Sequence, residues 1–333
     1  MCFSAIIQQR AKKLGVLFAA RIQTDDYTEL FVRRMEGEKL LLGVGLEMDF
    51  LEGAKTESEK RGRDAILTWH RDEAERLREE ILKQVARRDD SRTKLAVKTT
   101  KKAENDLRVS LNKIEKLTSE LARHEGILDA VADKDGEKKI VDFDRVFPRA
   151  FTSMVGTDRD GEKIVIPVRY LLRPHDKDEN FDLKFHGCYN ARRDALYNVP
   201  WWRNLLGQRH GVLSVRNFYE FVPRETYPDR PKSEPGPENL EVEFTPESEE
   251  ILYVPTLWDT WKDKTGKSMN SAALITDTPL PDVARTGHDR TPIFLTKKAA
   301  EEWLELKTDD PAKVNAVLDQ KTLPKLRHRL SGS

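Results

Sequence analysis

The sequence predicts an α+β fold: a mixed or antiparallel β-sheet core, interrupted by an inserted long antiparallel helical hairpin over residues 56–125, in a chain read as one domain spanning 1–333. Three observations carry this. From Arg63 to Glu125 there is no Gly or Pro, and Arg, Lys, Glu, Asp, Ala and Leu dominate, a composition that favours helix. Beyond Glu125, apolar or β-branched runs alternate with turn residues: KIVIPVRYLL, GVLSVRNFYEFV, ILYVPTLW, SAALITDT and TPIFLT. Few helical segments separate these runs, which favours mixed or antiparallel pairing over a doubly wound parallel sheet.

Taken in order, residues 1–54 open with an amphipathic helix predicted around Ala5 to Phe18, followed by short alternating segments such as KLLLGVGLEM. Within the charged region, apolar residues recur at Ala74, Leu77, Ile81 and Val85, then at Leu107, Leu111, Ile114, Leu117 and Leu121. The polar stretch RRDDSRTK between these stripes predicts the turn of a hairpin whose helices run ~25 to 30 residues and ~40 Å each, with one unbroken helix as the rival reading. Both stripes are narrow and flanked by charge, so the hairpin is expected to be mostly wet, a spacer or stabilising arm. A surface for a protein partner or for DNA is its alternative use. PDRPKSEPGPENLE reads as a surface loop. TKKAAEEWLEL places Ala299, Ala300, Trp303 and Leu304 on one face of a short helix.

Bulk properties narrow the function classes. Lys plus Arg and Asp plus Glu number 58 each, so no global field draws the chain to nucleic acid or acidic lipid, and any phosphate-binding surface must be local. Two cysteines, Cys2 and Cys188, cannot form a disulfide framework, and no stretch reaches the ~20 apolar residues of a membrane span. The expectation is a cytoplasmic protein, with no membrane contact, metal site or cofactor.

Cys2 directly follows Met1. Removal of Met1 would turn it into a 1,2-aminothiol, whose amine (reference pKa about 7.7 to 8.0) and thiol (about 8.5) are both partly nucleophilic near neutrality. Three further stretches set reactive groups beside expected strand ends: CYNARRDAL around Asn190, NFYEFV around Glu220 and TGHDRTP around His288.

The order Cys2, Asn190-Ala191-Arg192, Phe218-Tyr219-Glu220 and His288-Asp289-Arg290 resembles the SRAP family, the SOS-response-associated peptidases that shield abasic sites in DNA. RVFPRAF, IPVRYLLRP, VPTLWDTW and SAALITDT support the resemblance, which covers residues 1–54 loosely and about 126–306 well. Phe3 and Ser4 stand where familiar members carry Gly-Arg, and Tyr170 and Leu171 replace a Trp-Gly pair. The charged arm is absent from the compact members.

The resemblance implies an SRAP-like core and an abasic-site sensor with lyase, hydrolase or autopeptidase character. Cys2, freed by autocatalytic loss of Met1, would form a covalent thiazolidine with abasic sites in single-stranded DNA. Glu220 would move protons, His288 would act at the Schiff-base stage, and Asn190 would position the amine and the sugar. Arg192 and Arg290, with Arg193 as a further contact, would bind phosphates. Tyr170, Trp201 and Trp202 are candidates for stacking on bases. The alternatives are a cysteine-type peptidase acting on other polypeptides and a noncatalytic DNA-binding scaffold.

Overall fold

A computed structural model describes residues 3–132, 142–228 and 237–331. The chain begins with β1 (Ser4–Gln8), α1 (Ala11–Phe18), β2 (Arg21–Ile22), α2 (Thr24–Met35), β3 (Leu41–Leu42) and α3 (Val44–Leu51). Two long helices follow, α4 (Glu57–Val97) and α5 (Lys101–Ala132). Next come β4 (Phe143–Val146), β5 (Ala150–Thr157), β6 (Lys163–Tyr170), α6 (Phe181–Lys184), β7 (Asn190–Arg192) and α7 (Pro200–Arg203). The remainder is β8 (His210–Pro223), β9 (Asn239–Pro246), β10 (Leu252–Lys262), β11 (Ser268–Asp277), α8 (Pro281–Ala284), β12 (Thr291–Pro292), α9 (Lys297–Glu305), α10 (Pro311–Leu318) and β13 (Leu326–Leu330). These elements divide into two units, one of residues 1–27, 40–49 and 141–333, the other of 28–39 and 50–140.

In the first unit five strands close on themselves in the order β5, β6, β11, β10, β8 and back to β5. Only the β6–β11 junction of this ring is parallel, so the sheet is mixed and mainly antiparallel, as the sequence predicts. Met154, Val168, Leu213, Val254, Trp258 and Leu274 belong to its core. Closure requires a close approach at Gly211, where a Cβ would lie 2.6 Å from both Met154 Sδ and Thr256 Oγ1. The TKKAAEEWLEL segment is helical, with Thr296 accepting from the Ala299 N–H as N-cap and Trp303 fully buried.

Strand β8 has 14 residues and leaves the ring after Val215. Its second half pairs with β1 on one side (Ser4 opposite Tyr219) and β9 on the other (Glu220 opposite Val242). Side-chain alternation therefore puts Phe218, Glu220 and Val222 on the buried face and leaves Phe221 exposed.

The amino-terminal segment corrects the expected helix. Residues 4–8 are a strand, and the helix begins only at Ala11. Apolar spacing allowed both readings; non-local pairing of the SAIIQ segment with β8 and β4 decides between them.

In the second unit, α4 and α5 form the expected hairpin, although α4 has 41 residues, about 60 Å. Thr56 and Glu59 form a capping box at its start. The turn is not at RRDDSRTK. That stretch stays helical because its polar groups are satisfied along the helix: Ser91 Oγ donates to Arg87 O, Thr93 Oγ1 to Asp89 O, and Lys94 pairs with Asp90 at 2.6 Å. The chain reverses at residues 98–100, where Thr100 Oγ1 accepts from the Ala103 N–H. The seam is also more polar than its sequence suggests. Ala74, Leu77, Gln84, Ser91, Ala103 and Ser110 are buried, whereas Leu111 is 41% exposed. His70 and His124 meet in the seam at 2.8 Å between their Nδ1 atoms.

Candidate active site

Two of the residues predicted for chemistry are brought together. Glu220, fully buried on β8, lies with Oε2 3.5 Å from His288 Nε2. Burial raises the Glu220 carboxyl well above the usual carboxylate range, and a hydrogen bond from the Phe3 backbone works in the opposite direction. The His288 imidazole is lowered from its ordinary value, again chiefly by burial. The carboxyl therefore keeps its proton to higher pH than an ordinary glutamate, and the imidazole stays neutral to lower pH than an ordinary histidine, which suits the pair to proton transfer.

His288 sits in the loop between α8 and β12, which is fixed at two points. Its Nδ1 hydrogen-bonds with the Arg290 backbone, 2.9 Å from the carbonyl oxygen. One residue earlier, Gly287 adopts φ +92°, and a Cβ there would lie 2.0 Å from Thr226 Oγ1. Thr226 Oγ1 in turn donates to the Thr286 carbonyl at 2.9 Å. Only glycine tolerates both this φ and this contact.

Asn190 opens β7, which runs parallel to β11 with Asn190 opposite Leu274, and its side chain is buried. Arg192, two residues on, is joined to Arg290 by Asp194. Arg192 Nε and Nη2 reach the two Asp194 oxygens at 3.0 and 2.7 Å, and Arg290 Nη2 reaches Oδ2 at 3.2 Å. The Arg192 guanidinium, then Arg290, holds the Asp194 carboxyl down to about 2. The motifs at 190–192 and 288–290 thus share one carboxylate. Asp194 is absent from the predicted set, since an acid after tandem arginines resembles ordinary surface charge; its two-residue spacing from Arg192 was the available signal.

Cys2 lies outside the described residues, as does most of the Pro-rich loop at 229–236. The next residue, Phe3, donates its backbone N–H to Tyr219 O at 3.1 Å. Arg145 braces this end of β1. Its guanidinium donates to Ser4 Oγ at 3.0 and 2.9 Å and lies 3.5 Å from the Tyr219 ring centroid.

Several expected DNA contacts have other positions. Tyr170 is 1% exposed and packs edge-on against Tyr189 at 5.6 Å, so it is a core residue and offers no face to a base. Trp202, 4% exposed, is corrected in the same way. Trp201 is half-buried in a cluster with Phe181 and the exposed Phe185. Arg193 is bound into the framework through Asp277, Asp319 and Asn315, which takes it out of the set of available phosphate ligands. Cys188 is buried, and burial pushes its thiol up to about 12.

Among the described residues, no three His, Cys, Asp or Glu side chains are grouped to hold a metal ion. No helix among them is long and apolar enough to cross a membrane.

Comparison with known proteins adds the family. The chain is 26% identical over 148 residues to the abasic site processing protein YobE of Bacillus subtilis, a match covering 44% of this chain and 61% of that protein. It is likewise 26% identical to the abasic site processing protein YoqW of Bacillus phage SPbeta, with 44% and 60% covered. The match thus spans about 60% of the length of these relatives. Similar solved structures include a protein from Bacteroides thetaiotaomicron (TM-score 0.44, 17% identity, 56% of this chain and 76% of that one). Another is a protein from Bordetella bronchiseptica (TM-score 0.43, 17% identity, 59% and 90%). The family model described as SOS response associated peptidase (SRAP) matches residues 91–329, well over half of the sequence, and the chain belongs to that family.

Proposed function

We propose that this protein captures abasic sites in single-stranded DNA as a covalent crosslink through Cys2. The observation that carries the reading is the contact of His288 with the buried Glu220, 3.5 Å apart, Glu220 being on the strand to which the residue following Cys2 is hydrogen-bonded. Loss of Met1 leaves Cys2 with a free α-amine beside its thiol. The amine adds to the C1′ aldehyde of the ring-opened sugar and water leaves, giving a Schiff base. The thiol then adds to the same carbon and its proton passes to nitrogen, closing a thiazolidine with one water released overall. Closure is intramolecular and gains the effective concentration of a neighbouring group.

The site's electrostatics suit these steps. Glu220, made a weaker acid by burial, supplies a proton as the sugar ring opens and as hydroxide departs, then recovers one. His288, held neutral, accepts a proton at the Schiff-base stage. Asn190 orients the amine, and Arg192 and Arg290 engage the flanking phosphates. The same carboxyl serves release of Met1. Single-stranded DNA is the preferred target because a lesion without a stacked partner enters a pocket at the least cost. The names of the relatives from Bacillus subtilis and Bacillus phage SPbeta agree with abasic-site processing.

The test is incubation with a single-stranded oligonucleotide carrying one abasic site, followed by a denaturing gel. A shifted band that needs no borohydride and disappears in Cys2→Ala is expected. A band of equal intensity in that variant refutes the assignment.

A further inference from the structure

We infer that Asp194 is a resident substitute for a DNA phosphate: its carboxylate occupies the space between Arg192 and Arg290 in the DNA-free protein and yields it to a strand phosphate on binding. The inference rests on the reading of those two arginines as phosphate contacts and adds a competitor to it.

The geometry is that of a bound oxyanion. Arg192 grips both oxygens of Asp194 in a fork, at 3.0 and 2.7 Å, and Arg290 approaches the second oxygen at 3.2 Å. A guanidinium makes the same fork with two phosphate oxygens, so the arrangement already has the directions a phosphate requires. Local structure explains why this carboxylate reaches Arg192. Residues 193–195 form a 3-10 turn directly after β7, folding position 194 back on position 192.

Exposure separates this contact from a structural ion pair. Arg192 and Asp194 are 49% and 55% exposed, so their bridge opens to solvent, and open ion pairs contribute little net stability. Arg193 next door differs: 16% exposed, it is bonded to Asp277 and Asp319 on other elements. One arginine is locked into the framework, and its neighbour is held by a contact that exchanges readily.

Arg192 and Arg290 are also a poor resting pair without an anion between them, since their like charges repel. Asp194 keeps both guanidiniums ordered and aimed, then competes with the ligand they are aimed at. Held down to about 2 by these arginines, the carboxyl stays ionised at neutral pH, so the resting partner of the two guanidiniums is an anion.

The experiment measures binding of a short fluorescein-labelled single-stranded oligonucleotide without an abasic site, by anisotropy across a KCl series, to wild type, Asp194→Asn, Asp194→Ala and Arg192→Ala. Removing one negative charge at contact distance from the phosphate is expected to tighten binding about fivefold. The slope of log affinity against log salt should steepen by about 0.7, the increment for one more neutralised phosphate on a single strand. Arg192→Ala should weaken binding. If both Asp194 variants weaken it as Arg192→Ala does, the carboxylate only orders the arginines and the inference is overturned. Unchanged affinity in the Asp194 variants with a weakened Arg192→Ala also overturns it. Unchanged affinity in all three removes the arginines from the DNA contact, so the underlying reading of them fails too, while crosslinking through Cys2 is judged separately on the gel.

Discussion

Gly287→Ala probes how His288 is held. At φ +92° an L side chain is strained by about 1–3 kcal/mol. The added Cβ would lie 2.0 Å from Thr226 Oγ1 and 2.3 Å from Thr226 Cβ, so the loop must retreat by more than an ångström, at a further cost of about 1–3 kcal/mol. Together these lower stability by about 2–6 kcal/mol, a fall in Tm of about 3 to 9 °C for a chain of this size. The functional loss should be larger than the loss of fold. His288 is the next residue, and on its proposed role in proton transfer a displacement of about 1 Å costs on the order of 10²-fold in rate. The assay is the single-turnover rate of crosslinking at a temperature where circular dichroism shows the variant folded. Wild-type rate together with wild-type Tm would refute the claim that the Gly287–Thr226 contact sets the imidazole. Thr226→Gly in the same chain relieves the clash and should restore part of the rate.

Two further outcomes follow from the same geometry. Because the folded carboxyl of Glu220 sits above its unfolded value of 4.5, the native state binds the extra proton between those two values. Its contribution therefore makes stability fall as pH rises through that window, and Glu220→Gln should flatten this fall in thermal melts; a wild-type pH profile in the variant would contradict a raised carboxyl. Arg145→Ala removes the brace on Ser4 and the cation over Tyr219. It should cost about 2 kcal/mol and slow crosslinking, because the strand following Cys2 loses its anchor; unaltered melting and rate would show that β1 pairing alone suffices.

The mixed, mainly antiparallel sheet and the long arm are legible in the sequence because each rests on a strong local signal, β-branched runs between turn residues in one case and an unbroken series of helix formers in the other; closure of the strands into a ring is not. The boundary of α4 is not. Asp89, Asp90, Ser91 and Arg92 look like a turn, yet a helix accommodates them when their hydroxyls bond back to carbonyls and their charges pair at i,i+4. Nor is β1, whose fate depends on Tyr219 and Val146, more than a hundred residues away. Glu220 and His288 are found through the order of motifs, and their contact adds the geometry that order lacks. Tyr170 and Trp202 are misassigned for a general reason: an aromatic ring serves a core and a stacking surface equally well, and only burial tells the two apart.

Strand β8 belongs to the closed ring for its first half and carries Glu220 on its second. Glu220 is therefore carried on an extension of a ring strand that is hydrogen-bonded on both sides, whereas His288 and Arg290 ride on one loop and Arg192 ends the short strand β7. Adjustment around the Glu220–His288 contact should come from that loop before it comes from the strand. Hydrogen exchange should find the amides around residue 220 among the slowest in the protein and those at 286–290 markedly faster.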